Sequence, residues 1–153
     1  MNNNLTEKQK ELIESFGVAQ EELGLSPASA RINSLLIVSN KIELTFDEIR
    51  EILVLSKSAT SNAINNLLML KRIGYITKPG ERKRYFFSKM GQWQDVFIDS
   101  INSLTGYNHI LKNILLARSN ENENFNDQLK ELTAFIDYYQ EENIKIIKNW
   151  KKQ

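Results

Sequence analysis

The sequence predicts a mainly helical chain with one small β-hairpin, and three observations carry that expectation. Apolar residues recur at helical spacing over most of the 153 residues. One stretch, residues 75–87, switches instead to short aromatic and β-branched runs on either side of a Pro79-Gly80 turn. Immediately before it, residues 44–72 carry two helix-start signals, at Thr45 and Ser56, too close together for the first helix to be long. Two short capped helices joined by a tight turn and followed by a hairpin with a charged tip make a winged helix-turn-helix. Helices flank it on both sides.

Each element has a local reason. Thr6 caps the first helix with Gln9 as the last member of a capping box; Leu12, Ile13, Phe16 and Ala19 follow at helical spacing, and Gly24 ends it. Ser26 followed by Pro27 opens the second, because proline at the first helical position loses an N–H that has no partner there anyway. That helix should carry Ile32, Leu35, Leu36 and Val38 into the core and stop near Asn40. Thr45 and Glu48 form a second capping box for a helix over residues 46–53, with Ile49, Ile52 and Leu53 inward. Val54 and Leu55 then make the turn, and Ser56 caps a helix over residues 57–72. On that helix Thr60, Ala63, Ile64, Leu67 and Leu68 share one side, and Lys57, Ser58, Ser61, Asn62 and Asn65 the other. The hairpin pairs residues 75–78 with 84–87 around a tip at 79–83.

From Gly91 the helical period returns, with Trp93, Phe97, Ile101, Leu104, Leu111 and Leu115 on an apolar side. Gly106 weakens the middle of this helix by about 1 kcal/mol relative to alanine and is the expected place for a bend. Residues 118–124 are a polar break. After it, Phe125, Leu129, Leu132, Ile136, Tyr139, Asn143, Ile146 and Trp150 step by 4, 3, 4, 3, 4, 3 and 4, a heptad seam with one polar member. Core packing within one chain can cover such a seam. Because a small central domain already has its own core, an intersubunit bundle is the preferred reading, with Asn143 fixing register. The expected organisation is a dimerisation helix over 1–24, a winged helix-turn-helix over 25–90 and a helical dimerisation region over 91–153.

Composition narrows the function. At 41% apolar and 25% charged residues, the chain matches a soluble globular protein. No apolar run is long enough to span a bilayer, and residues 1–4 begin no charged-then-apolar leader, so a cytoplasmic location is expected. The chain has no cysteine, and His109 is its single histidine, which leaves no thiolate, disulfide or histidine-rich metal site; neither cofactor nor metal is expected. Asp47, Glu48 and Glu51 cluster, but at a helix start, where the dipole favours negative charge. No phosphate-binding glycine loop or nucleophile elbow accompanies them, so no enzyme activity is expected.

The net charge of +1 conceals a strong asymmetry. Residues 54–89 hold eight basic residues and one acidic residue, leaving twelve basic and eighteen acidic in the remainder. A cationic segment within an otherwise acidic chain suits a surface that neutralises phosphates. Asn62 and Asn65 have amides that match adenine, Ser58 and Ser61 reach bases or phosphates, and Lys57 suits a phosphate. Lys78, Arg82, Lys83 and Arg84 would follow the backbone or enter the adjacent minor groove. The rival reading is a winged-helix module that binds protein without sequence-specific DNA recognition. Trp93, Phe97, Tyr107, Tyr138 and Tyr139 are candidates for an aromatic cavity holding a cationic effector, although aromatics at helical spacing are usually core.

Several segments together resemble a known family. Residues 23–32, with Leu23-Gly24-Leu25-Ser26-Pro27, then Leu44-Thr45-Phe46-Asp47-Glu48-Ile49, then residues 55–65 around Ser56-Lys57-Ser58-Ala59-Thr60-Ser61-Asn62, look like the GbsR-like branch of the MarR-type bacterial transcriptional regulators. Residues 75–85, with Lys78-Pro79-Gly80-Glu81-Arg82-Lys83-Arg84-Tyr85, resemble the wing of the same group. The likeness is specific over residues 23–87 and only architectural elsewhere. It implies a homodimer joined through its terminal helices, acting as repressor or activator on a pseudopalindromic operator in double-stranded DNA and often answering to a small-molecule effector.

Overall fold

A computed structural model of the chain describes residues 5–150; residues 1–4, on which the expectation about a leader rests, and residues 151–153 lie outside the described residues. The described residues form two compact units that part after Gly91.

The first unit contains α1 (Glu7–Glu22), α2 (Pro27–Val38), β1 (Leu44–Thr45), α3 (Phe46–Ile52), α4 (Lys57–Met69), β2 (Ile73–Thr77) and β3 (Arg84–Ser88). All four helices start where the sequence places their caps. Thr6, Ser26, Thr45 and Ser56 accept from the backbone N–H groups of Gln9, Ser29, Glu48 and Ala59, and the boxes at Thr6 and Thr45 are closed in both directions. Each cap contributes about 1 kcal/mol and fixes where its helix begins.

Three of these helices also end alike. After α1, α3 and α4 the chain turns through a left-handed residue, Gly24 (φ 94°), Val54 (φ 51°) and Lys71 (φ 55°). Leu25, Leu55 and Arg72 then donate to the carbonyls of Gln20, Arg50 and Leu67 at 3.1, 3.0 and 3.0 Å, the long hydrogen bond of a Schellman ending. Glycine marks this ending at Gly24, but Val54 and Lys71 carry no such mark. That is why α4 stops at Met69 and not at residue 72, and why β2 begins at Ile73 and not at residue 75.

The sheet has three antiparallel strands in the order β1-β3-β2. β1, a strand of two residues, is too short to leave a period in the sequence. In register, Leu44 and Tyr75 flank the buried Phe86 from either side, and Thr77 pairs with Arg84. Ile32, Leu35, Leu44, Ile49, Leu67 and Ile73 are fully buried and tie helices and sheet into one core. Each such side chain contributes about 1.5–3 kcal/mol.

On α1 the buried positions are Ile13, Gly17 and Gln20, whereas Leu12 and Phe16 remain 43% and 38% exposed. Of the predicted set Leu12, Ile13, Phe16 and Ala19, Ile13 is buried and the other three are exposed, and polar packing fills the rest of the inward side. Gln20 donates to Ser34 Oγ at 2.8 Å and accepts from the Asn33 amide, all three buried. Arg31 crosses α1 at Gly17 to pair with Glu14 at 3.1 Å and with Glu21.

The second unit is a hairpin of α5 (Trp93–Ala117) and α6 (Glu123–Trp150). α5 continues through Gly106 without interruption. On α6 the buried stripe is Asn126, Leu129, Thr133, Ile136 and Gln140. Its polar members are satisfied within the hairpin. Asn108 on α5 donates to the Thr133 carbonyl at 3.1 Å and to Asp137 at 2.8 Å, and Gln140 donates to Thr105 Oγ1 at 2.7 Å. The predicted seam is therefore split between two environments: Leu129 and Ile136 face α5, while Phe125, Leu132, Tyr139, Ile146 and Trp150 are 43–63% exposed. Asn143 turns back on its own helix, donating to the Tyr139 carbonyl at 2.6 Å.

Candidate nucleic-acid interface

α4 presents the polar face that its sequence anticipates. Thr60, Ala63, Ile64 and Leu67 are buried, Lys57, Ser58, Asn62 and Asn65 are exposed, and Ser61 is half-buried. Thr60 Oγ1 donates to the Ser56 carbonyl at 2.9 Å, which turns its methyl into the core and completes the helix start. From the opposite side α2 holds the helix in place. Ser29 Oγ donates to Asn66 Oδ1 at 3.2 Å, so this third amide is engaged and leaves Asn62 and Asn65 as the outward pair.

The wing stands beside this face. Lys78-Pro79-Gly80-Glu81 reverses the chain with a hydrogen bond from Glu81 N–H to the Lys78 carbonyl at 3.1 Å and Gly80 at φ 81°, the geometry of a type II turn. Alternation along the strands then gives the wing two faces. On one, Arg84 stacks over Tyr75 with its guanidinium 4.7 Å from the ring centroid. On the other, Lys78 lies 4.0 Å from the Tyr85 ring centroid and pairs with Glu43 at 2.5 Å, while the Tyr85 hydroxyl donates to Glu81. The hydrogen bond to Glu43 raises the Lys78 pKa, and the one to Glu81 raises that of Tyr85.

Between α4 and the wing lies a cleft of about 350 Å³, lined by Ser61, Ile64 and Asn65 on one side and Arg82, Lys83 and Arg84 on the other, with Phe86 and residues 45–47 completing it. Three expected site residues, Lys57, Ser58 and Asn62, follow the α4 face; Ser61, Asn65 and the three tip cations line the cleft itself. Lys78 is apart from them, held by Glu43 on the reverse face of the wing. Asp47 and Tyr75 were not among the expected site residues. Asp47 brings a carboxylate into the cleft from the first turn of α3, and Tyr75 supports Arg84. The signal for Tyr75 is the strand register. With Thr77 opposite Arg84, Tyr75 is the diagonal neighbour, within reach of a long side chain.

The aromatic residues of the second unit divide. Phe97, Tyr107 and Tyr139 line a groove of about 470 Å³ together with Ser100, Ser103, Leu104 and Asn143. Trp93 packs edge-on against Phe97 and Trp150, at 5.8 and 6.3 Å between centroids, and Tyr138 is 62% exposed. They do not form one box. Among the described residues no group of three or more histidine, cysteine or acidic side chains is placed to hold a metal ion, and no helix is long and apolar enough to cross a membrane.

No protein-family model matches the chain, and no curated protein does. Among solved structures it is similar to one described as a transcriptional regulator, with a TM-score of 0.81 at 16% identity over 95% of this chain and 99% of the other. At that identity the likeness establishes the fold: a mainly helical winged helix with a three-stranded sheet and long terminal helices. Weaker superpositions include a Staphylococcus aureus MepR variant bound to an oligodeoxyribonucleotide (TM-score 0.45, 18% identity, 86% and 92% of the two chains). Another is the adhesin competence repressor AdcR of Streptococcus pyogenes (TM-score 0.40, 19% identity, 83% and 92%).

Proposed function

We propose that this chain is a sequence-specific DNA-binding transcriptional regulator of the MarR type, acting as a homodimer on a pseudopalindromic operator. One observation carries the reading: the exposed amide and hydroxyl face of α4 shares a cleft with three consecutive wing cations, Arg82, Lys83 and Arg84. A helix with short polar side chains approaches base edges in a major groove, while cations on a neighbouring ribbon neutralise phosphates and set the register. The GbsR-like branch is proposed on residues 23–32, 44–49 and 55–65.

Supporting the dimer are apolar residues that neither unit covers. Phe125, Leu132, Tyr139 and Ile146 recur every seven residues on the outer side of α6, and Leu12 and Phe16 stand out on α1. A second copy supplies the apolar surface that such stripes lack. Control by a small ligand is part of the same reading, supported by the groove of Phe97, Tyr107 and Tyr139, with Asn143 and two serines as polar groups.

The test is a titration of mixed-sequence duplex DNA across a range of salt concentrations, with the full chain and with the Arg82→Ala/Arg84→Ala double variant. Removing two phosphate contacts should lower the log–log salt slope by about 1.8 and weaken binding at low salt. An unchanged slope removes the wing from the interface. Absence of duplex binding at low salt favours the protein-binding module instead.

A further inference from the structure

Resting on the DNA-binding reading above, we infer that the α4 face is specific for A·T pairs, so that each operator half-site is an A·T-rich run read from the major groove. The argument comes from what the face offers and what it lacks. Between Lys57 and Met69, α4 carries no arginine, aspartate or glutamate, and Lys57 at its first position is its one cation. Guanine is read by paired donors on its O6 and N7 acceptors, the task of Arg or Lys, and cytosine N4 by a carboxylate. Apart from Lys57 at the helix start, whose expected contact is a phosphate, the reading face of α4 has neither paired donors nor a carboxylate.

Its outward groups are the amides of Asn62 and Asn65, three residues apart and hence on one side of the helix, with Ser58 and Ser61 alongside. An asparagine amide sets a donor beside an acceptor and so complements adenine, whose N7 accepts and whose N6 donates. Placed against guanine, the amide oxygen meets the O6 acceptor and the contact is lost. The hydroxyls of Ser58 and Ser61 both donate and accept, so they tolerate either pair and add little discrimination. Asn66, the third asparagine of the helix, is tied to Ser29 on α2. The three clustered cations lie on the wing, across the cleft from Asn65. Arginine in a narrow minor groove also favours A·T tracts, so the origin of the preference is what the experiment must separate.

Inosine·cytosine pairs make that separation. They present the minor groove of an A·T pair, lacking the guanine amino group, and the major-groove acceptors of a G·C pair. Duplexes selected by the full chain from a random library are resynthesised with half-site A·T pairs replaced by G·C or by inosine·cytosine, and their affinities compared at one salt concentration. Selected half-sites should be A·T-rich. Both replacements should weaken binding by about tenfold for each adenine that an asparagine reads. In the Asn62→Ala/Asn65→Ala variant, confirmed as folded by its thermal melt, the A·T and inosine·cytosine duplexes should bind alike. Selection of G·C-rich half-sites overturns the inference, as does full retention of affinity by inosine·cytosine duplexes, which would assign the preference to the wing; in either case DNA binding itself stands. Failure to bind any duplex overturns the function and this inference together.

Discussion

Glu48 offers the most direct way to test how the helix-turn-helix is held. Its carboxylate accepts from Lys41 Nζ at 2.7 Å and from the backbone N–H and hydroxyl of Thr45, both at 2.8 Å. Partial burial pushes its pKa up, but the hydrogen bonds from Lys41 and Thr45 outweigh this and lower it from 4.5 to about 2. Taken at face value, that shift corresponds to about 3 kcal/mol of stabilisation by the ionised form. Its side chain is 33% exposed and that of Lys41 40%, so solvent screening leaves about 1–2 kcal/mol. A carboxyl with a depressed folded-state pKa stabilises fully above its unfolded value and loses that contribution as pH falls through the folded value. The window therefore runs from about pH 5 down to about pH 2. Glu48→Gln keeps a side-chain oxygen for the capping box and removes the charge. Urea unfolding of both proteins at several pH values should show the variant less stable by about 1–2 kcal/mol at pH 7, with the gap narrowed to about half by pH 3 and closing as the pH approaches 2. A gap that stays the same from pH 7 to pH 3 would refute the assignment of that stability to ionised Glu48.

Four further substitutions follow from backbone and packing. Gly106→Ala should stabilise by up to about 1 kcal/mol in thermal melts, because the helix is continuous there and a Cβ meets no atom within 4 Å. Gly74→Ala should destabilise by about 1–3 kcal/mol in urea, because its Cβ would lie 2.6 Å from Phe87 Cζ in the sheet. Val54→Gly should stabilise by about 1 kcal/mol, since a β-branched residue that is 89% exposed holds a left-handed conformation while burying little. Asn143→Leu should raise the melting temperature and broaden the distribution of species in sedimentation, because it replaces a polar group lining an apolar groove; unchanged behaviour in both removes its role in register.

Helix starts were legible to the residue and partners were not, and the difference is physical. A cap is a contact between residues three apart, so Thr6 with Gln9 and Thr45 with Glu48 announce themselves within a few letters of sequence. The outward face of α4 was legible for the same reason, since one helical period sorts Asn62 and Asn65 from Ile64 and Leu67. Schellman endings at Val54 and Lys71 left no trace because both residues hold a left-handed conformation that their own side chains disfavour. Arg84 over Tyr75 and Lys78 beside Glu43 depend on strand register and on β1, both fixed by long-range pairing.

The α6 seam shows the remaining ambiguity. Apolar residues at heptad spacing lower the free energy against any apolar surface, and the same term rewards α5 of one chain or a helix of another. Leu129 and Ile136 are covered by α5, whereas Phe125, Leu132, Tyr139 and Ile146 are left uncovered one heptad apart. What separates the two sets is the polar ladder of Asn126, Thr133 and Gln140, which interleaves with Leu129 and Ile136 and bonds within the hairpin. A buried amide without its partner costs more than a displaced leucine gains, so these hydrogen bonds fix which stripe turns inward. Polar residues that break an apolar face therefore decide its partner. By this reasoning, replacing Leu132 and Ile146 with lysine should abolish the proposed dimer in sedimentation while leaving the helical content measured by circular dichroism unchanged. A loss of helix on that substitution would show that the outer stripe is covered within the chain itself.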